Sequence, residues 1–182
     1  MLVICNGAPK AGSTWLTEII EASKLFEPTP EKFQKVGWEK PTIDEPGYEE
    51  FFEHADYRQR DLYCKQHWRG EKKFLALLAD PDIKMLNVIR DVRDVVVSRY
   101  FHDQRMSTVK WKNINEYYRS PRGQRQFGSY LSFQIFWHSN APSPLLSKYG
   151  EMRNSPEAAI ERIFNFLDRE IGANEIRRIA TS

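Results

Sequence analysis

The chain has 182 residues, 41% of them hydrophobic and 29% charged, and a net charge of +2. That length supports one well-buried core and is short for two, so a single domain over residues 1–182 is expected. No window approaches the ~18 apolar residues of a membrane span, residues 1–6 are too short for a signal-peptide core, and so small a charge argues for no nucleic-acid partner.

In chain order, apolar runs of strand length alternate with stretches of helical period, the pattern of an α/β fold with a mostly parallel sheet. Residues 2–5 form the first predicted strand and 16–23 its helix. A short strand at 61–64, a helix at 74–78 ended near Pro81, and a strand at 84–89 follow. The valines at 95, 96 and 97 favour a strand, whereas a crossover after Ile89 calls for a helix, so periodicity leaves 92–100 open. Residues 145–149 read as another strand. Ser155 caps and Pro156 opens a helix with Ile160, Ile163, Phe164, Leu167 and Ile171 on one face. Cys5 and Cys64 fall at the ends of buried strands, where reduced thiols are expected in a soluble cytoplasmic protein.

Two regions look inserted. Residues 25–60 hold four of the ten prolines and many aromatic side chains, which suits either a lid or substrate loop or a packed excursion. Residues 99–125 carry seven basic side chains against Asp103 and Glu116, which suits a solvated face or a site for an acidic acceptor.

The first strand and helix are joined by Gly7-Ala8-Pro9-Lys10-Ala11-Gly12-Ser13-Thr14-Trp15. Two glycines with four residues between them let the backbone curl and turn N–H groups inward, and the following helix N-terminus adds partial positive charge. The span matches the nucleotide-triphosphate loop G-x-x-x-x-G-K-[ST], yet Ser13 stands where that pattern has lysine, and the lysine lies inside the loop at Lys10. Its ammonium is expected to meet an anion lying across the loop mouth. The plainer reading is an ordinary strand-to-helix turn with a solvated lysine.

The strand at 84–89 runs into Arg90-Asp91-Val92-Arg93-Asp94, and in an open parallel sheet the carboxyl ends of the strands line the ligand crevice. Arg90 is therefore expected near the loop, suited to bidentate recognition of a second phosphate, with Ser98 adding a hydroxyl. A small-molecule kinase would instead use Asp91 to hold magnesium, which the charges of Arg90 and Arg93 oppose. Lys65-Gln66-His67 follows the strand at 61–64 and so also stands at a carboxyl edge. The like charge of Lys65 disfavours the imidazolium and suits His67 to accept a proton; the commoner alternative is a surface histidine beside a lysine.

Together these residues resemble the cytosolic-type sulfotransferase family. Pro9-Lys10-Ala11-Gly12-Ser13-Thr14-Trp15 is similar to its 5′-phosphosulfate loop, residues 89–100 to its 3′-phosphate motif, and Lys65-Gln66-His67 to its Lys-x-His base motif. Tyr149-Gly150-Glu151-Met152 and the helix from Pro156 resemble its Tyr-Glu-Asp-Met segment. All four stand in the family's order.

The resemblance implies a P-loop-like fold, a helix over 92–100, and 3′-phosphoadenosine 5′-phosphosulfate (PAPS) as donor, leaving adenosine 3′,5′-bisphosphate (PAP). It implies an acceptor hydroxyl or amine on a small molecule or glycan, and no metal. Lys10, Ala11, Gly12, Ser13 and Thr14 would hold the 5′-phosphosulfate, Arg90 and Ser98 the 3′-phosphate, and Trp15 and Tyr149 would take the adenine between them. Lys10 would stabilise the leaving oxygen, His67 take the acceptor's proton, and Lys65 help stabilise the transferring group. Two departures stand out. Ala11 replaces the family's serine, and nothing after residue 170 matches its glycine-rich Arg-Lys-Gly segment over the 3′-phosphate, which an arginine from 119–125 could replace. That second gap leaves a non-catalytic nucleotide-binding module as a further alternative.

Overall fold

The computed structural model describes residues 1–43, 47–54, 57–106, 109–140 and 145–181. Five strands form one parallel sheet: β1 (Leu2–Gly7), β2 (Glu27–Pro28), β3 (Leu62–Gln66), β4 (Ile83–Ile89) and β5 (Leu145–Lys148), in the order β2-β3-β1-β4-β5. β1 is central because it is a continuous apolar run: Leu2, Val3, Ile4 and Cys5 are wholly buried, as a strand covered on both faces requires. β3 lies on one side of β1 and β4 on the other, so the strand order reverses there and a crevice opens at the carboxyl end of β1. Register places Asn6 level with both Gln66 and Asn87, so the segments leaving β1, β3 and β4 emerge side by side.

The helices α1 (Ser13–Ser23), α2 (Tyr48–His54), α3 (Lys72–Leu77), α4 (Val92–Met106), α5 (Ile114–Arg119), α6 (Pro121–Asn140), α7 (Tyr149–Asn154), α8 (Pro156–Phe166) and α9 (Ala173–Ala180) surround the sheet. α4 settles the ambiguous valines. Asp91 caps it: its carboxylate accepts from Arg93 N–H at 2.9 Å and its carbonyl from Val95 N–H at 3.0 Å. Valine costs a helix up to about 0.7 kcal/mol against alanine. Burying Val95 and Val96, at about 1.5 kcal/mol or more each, exceeds that.

Several boundaries differ from the sequence reading. The strand expected at 61–64 continues to Gln66, so Lys65 and Gln66 lie within β3 and His67 follows it. Cys5 and Cys64 are consequently interior to their strands, free and buried, and burial pushes the Cys5 thiol up to about 12. Tyr149 opens α7 instead of closing β5. Asp168 adopts a left-handed φ of 53° just beyond α8, so Ile171 lies outside that helix, and Ser155 makes no side-chain cap. The aromatic residues of the 25–60 insert divide: Phe26, Phe33, Phe51 and Tyr57 are buried in the core. Lys35 N–H donates to the Thr42 carbonyl and Lys65 N–H to the Pro41 carbonyl, both at 2.7 Å, which pins the base of a turn that exposes Trp38. Residues 44–46 and 55–56 of that insert lie outside the described residues. Among the described residues, no helix is long and apolar enough to cross a membrane.

Candidate active site

The loop after β1 closes on itself through Ala11 N–H donating to the Ala8 carbonyl at 2.9 Å. Lys10 then takes a φ of 72° and Gly12 one of 117°. For a lysine that conformation costs on the order of 1–2 kcal/mol, so the neighbouring contacts must hold it. No side chain caps α1, and its first amides have no partner within the helix, so they remain available to an anion. Gly12 is required for a second reason: a Cβ there would lie 2.6 Å from Cδ2 of Tyr149. Ala11 is buried among the core side chains, so its methyl packs inward and only its backbone belongs to the loop surface.

His67 is tied to the end of β1. Its Nδ1 lies 2.6 Å from the Gly7 carbonyl, and the adjoining Trp68 N–H donates to Asn6 Oδ1 at 2.9 Å. A carbonyl can only accept, so Nδ1 carries the proton and Nε2 keeps its lone pair. Burial holds the imidazole below its ordinary value; the Gly7 hydrogen bond opposes this, and the charge of Lys65 adds to it. The like charge named from sequence is thus present but secondary to desolvation. Lys65 Nζ donates to Thr14 Oγ1 at 2.8 Å, linking β3 to the first turn of α1.

Arg90 leaves the end of β4 and reaches back to the loop, with Nη1 donating to the Lys10 carbonyl at 3.3 Å. Its Cζ sits 4.4 Å from the centroid of the Tyr149 ring. Nε is covered and has no hydrogen-bond partner, the nearest carboxylate, Asp94, being 3.9 Å away. The guanidinium, held at the loop by these contacts, can offer its outer N–H groups to an anion there. Asp91 is committed elsewhere: Arg93 chelates its carboxylate and holds it down to about 2.

Lys10, Ser13, Thr14, Trp15 and Arg90 line one cleft of about 810 Å³, which Ser98 and His102 of α4 also line. Burial lowers Lys10, and the charges of Arg105, Arg99 and Arg90 lower it further. Trp15 and Tyr149 both border this cleft but meet edge to face, centroids 5.9 Å apart at 71°, so they do not present parallel faces between which a base would slide. The tilt follows from the packing of Tyr149 over Gly12 and under Arg90. A second cavity of about 680 Å³ adjoins the first and shares Pro9, Trp38, His67 and Arg99 with it, so His67 stands at their junction.

Trp38, Arg99 and His102 are site residues that the sequence did not single out. The helical phase of α4 carries the signal for two of them, since 98, 99 and 102 fall on neighbouring faces once 92–106 is read as helix. No arginine of 119–125 lines the cleft around Lys10 and Arg90: Arg119 borders a separate hollow beside Trp111, and Arg122 is bound to Asp103 at 2.7 Å.

A family model described as Sulfotransferase domain matches residues 2–182. Sulfotransferase 1A1 of Bos taurus is 27% identical over 94% of this chain and 60% of its own length; the luciferin sulfotransferase of Photinus pyralis is 29% identical over 53% of this chain and 26% of its own. The fold is similar to that of mouse sulfotransferase SULT7A1, solved complexed with PAP, with a TM-score of 0.69 and 21% identity over all of this chain and 62% of that one. The chain therefore spans about three-fifths of the length of relatives that it matches along most of its own.

Proposed function

The chain belongs to the sulfotransferase domain family, and from that premise we propose that it moves a sulfuryl group from PAPS to a hydroxyl or amine of a small-molecule or glycan acceptor in the cytoplasm. One observation carries the reading: the loop around Lys10 and the guanidinium of Arg90 open onto one cleft, and His67 stands where that cleft meets a second cavity. The crystallised mouse relative holds PAP, a nucleotide with two separate phosphates, which suits two separate cradles.

Under this reading the amides that begin α1, with the hydroxyls of Ser13 and Thr14, hold the 5′-phosphate, and Arg90 and Ser98 hold the 3′-phosphate. The place of Arg90 in the cleft, 4.4 Å from the centroid of the Tyr149 ring, fits that role. The acceptor oxygen attacks sulfur while Nε2 of His67 takes its proton; the new O–S bond forms as the bond from sulfur to the 5′-phosphate oxygen breaks, and the electron pair stays on that oxygen. Lys10 stabilises the charge that appears there, and Lys65 the equatorial oxygens. The exposed turn bearing Trp38, 6.1 Å from the His67 ring, serves as the acceptor-side flap of the 25–60 insert. A kinase is disfavoured, since Asp91 is already chelated by Arg93.

The reading is tested by a thermal-shift comparison of PAP, ATP and ADP, followed by transfer of labelled sulfate from PAPS to a panel of phenols, alcohols and amines. PAP alone should raise the melting temperature, and Lys10→Ala and His67→Ala should each abolish transfer while PAP still binds. Stabilisation by ATP and not by PAP would overturn it.

A further inference from the structure

Asp103 is the one acidic side chain among the described residues that is fully buried, at 1% exposure. Its carboxylate accepts from Nε of Arg122 at 2.7 Å and from the Tyr117 hydroxyl at 3.2 Å, lies 3.4 Å from His102 Nδ1, and forms an ion pair at 2.9 Å with Nε of Arg99, whose N–H is not aimed at it. One negative charge therefore serves two guanidiniums, and one positive charge is left over. Arg122 runs off toward the Trp111 ring, 6.0 Å away. Arg99, one turn before Asp103 on α4, instead lines both cavities at their junction, together with His67.

The second cavity has aromatic walls, Phe133 and Phe136 among them, and a positive bias. Arg69 lines it and has no carboxylate partner among the described residues, while Glu71, its one acid, is paired with Lys73 at 3.1 Å. Tyr130 contributes a further aromatic ring to its lining. An apolar body with a single anionic group would meet complementary surface throughout such a space.

Building on the sulfuryl-transfer reading, we propose that Arg99 selects acceptors carrying a carboxylate in addition to the group that is sulfated, and that Asp103 is the positioning residue that fixes its guanidinium at the junction. The carboxylate would accept from the outer N–H groups of the Arg99 guanidinium, a charge-assisted contact worth about tenfold or more in discrimination against a neutral analogue.

The test compares 3-(4-hydroxyphenyl)propionate with its methyl ester, which share the phenol and the aromatic body. The wild type should show a kcat/KM at least about tenfold higher for the acid, expressed mainly in KM. Arg99→Gln should bring that ratio close to one, any loss of PAP affinity falling equally on the acid and ester assays, and Arg99→Lys should restore part of the ratio by returning the charge without the planar fork. Asp103→Asn should lower the ratio with Arg99 still present. Because that change leaves a buried site with two arginines, melting of each variant with PAP plus acid or ester gives a second readout, the acid being expected to add stability only where Arg99 is intact. A wild-type ratio near one, or equal losses on acid and ester in Arg99→Gln, would overturn the proposal, the latter placing Arg99 on the transferring group. Failure of the wild type to bind PAP at all would instead overturn the transfer reading beneath it.

Discussion

Replacing Gly12 with alanine tests the tightest contact of the site. The new methyl would sit 2.6 Å from Tyr149 Cδ2, whereas ordinary contact begins at 3.4 Å, so the ring must retreat by about 0.8 Å. It has little room to do so, since the Arg90 guanidinium lies 4.4 Å from one face and Trp15 stands at its edge. Overpacking of this kind costs about 1–3 kcal/mol, and a φ of 117° adds on the order of 1 kcal/mol for any residue with a Cβ. The sum, about 2–4 kcal/mol, corresponds to a fall in Tm of about 5–15 °C for a domain of this size. Gly128 supplies the internal control: it lies within α6 with nothing inside 4 Å of its would-be Cβ, so Gly128→Ala should gain up to about 1 kcal/mol from helix propensity. Calorimetry gives both Tm values, and titration with PAP reports whether the displaced ring disturbs Arg90. A Gly12→Ala protein with the wild-type Tm and PAP affinity would refute the close packing of loop, ring and guanidinium.

Three further outcomes are expected. Arg90→Ala should weaken PAP at least about tenfold more than adenosine 5′-monophosphate, because charge-assisted contacts to the 3′-phosphate are lost; equal weakening of the two would assign Arg90 elsewhere. Lys10→Gly should abolish sulfate transfer without lowering Tm, since glycine accepts the φ of 72° freely, and a large drop in Tm would show that the lysine side chain holds the loop together. His67 is held below its ordinary value of 6.5 by burial, so the acidic limb of kcat/KM should lie below pH 6.5. The sign for stability follows: as pH falls below 6.5 the unfolded chain takes up the proton first, so Tm should decline until the lowered folded-state value is passed, and His67→Asn should remove that decline.

Much of this site was legible because its residues sit where strands end. The loop at Gly7–Gly12, Arg90 after β4 and Lys65–His67 around the end of β3 each follow an apolar run that marks a buried strand, and the rule for open parallel sheets brings such ends together. Strand order was not legible, because it rests on pairings such as Cys5 with both Lys65 and Leu86 that no local pattern encodes. The three valines of α4 left the local reading open: the deciding signals were a capping aspartate and the burial of Val95 and Val96, the second of them tertiary. Arg99 and Trp38 escaped for a related reason. Arg99 is one basic residue in a basic stretch, and only the fold shows that Asp103 is buried beneath it and that it borders two cavities. Trp38 is one aromatic residue among many in the insert, and only the clamped turn sets it apart from the buried ones.

The electrostatics of the cleft bear on both affinity and the proposed chemistry. Lys10, Lys65, Arg90 and Arg99 border one space, and the acids at its edge are partly spent, Glu18 lying 4.0 Å from Lys40. Burial depresses both Lys10 and Lys65, and the neighbouring arginines depress Lys10 further, so assembling these cations in one place costs free energy that an anion recovers. A ligand with a single phosphate meets only one cradle and recovers part of it, whereas one with phosphates at both ends relieves the loop and the Arg90 donor together. Binding should therefore stabilise the fold by mass action, about 2.7 kcal/mol at a hundredfold excess over Kd, and should weaken with salt. Lys10 gains most from this arrangement. An incoming polyanion opposes the burial and like charges that lower it, and in the proposed transfer the negative charge left on the departing phosphate oxygen would develop beside an ammonium that the loop places at the cleft.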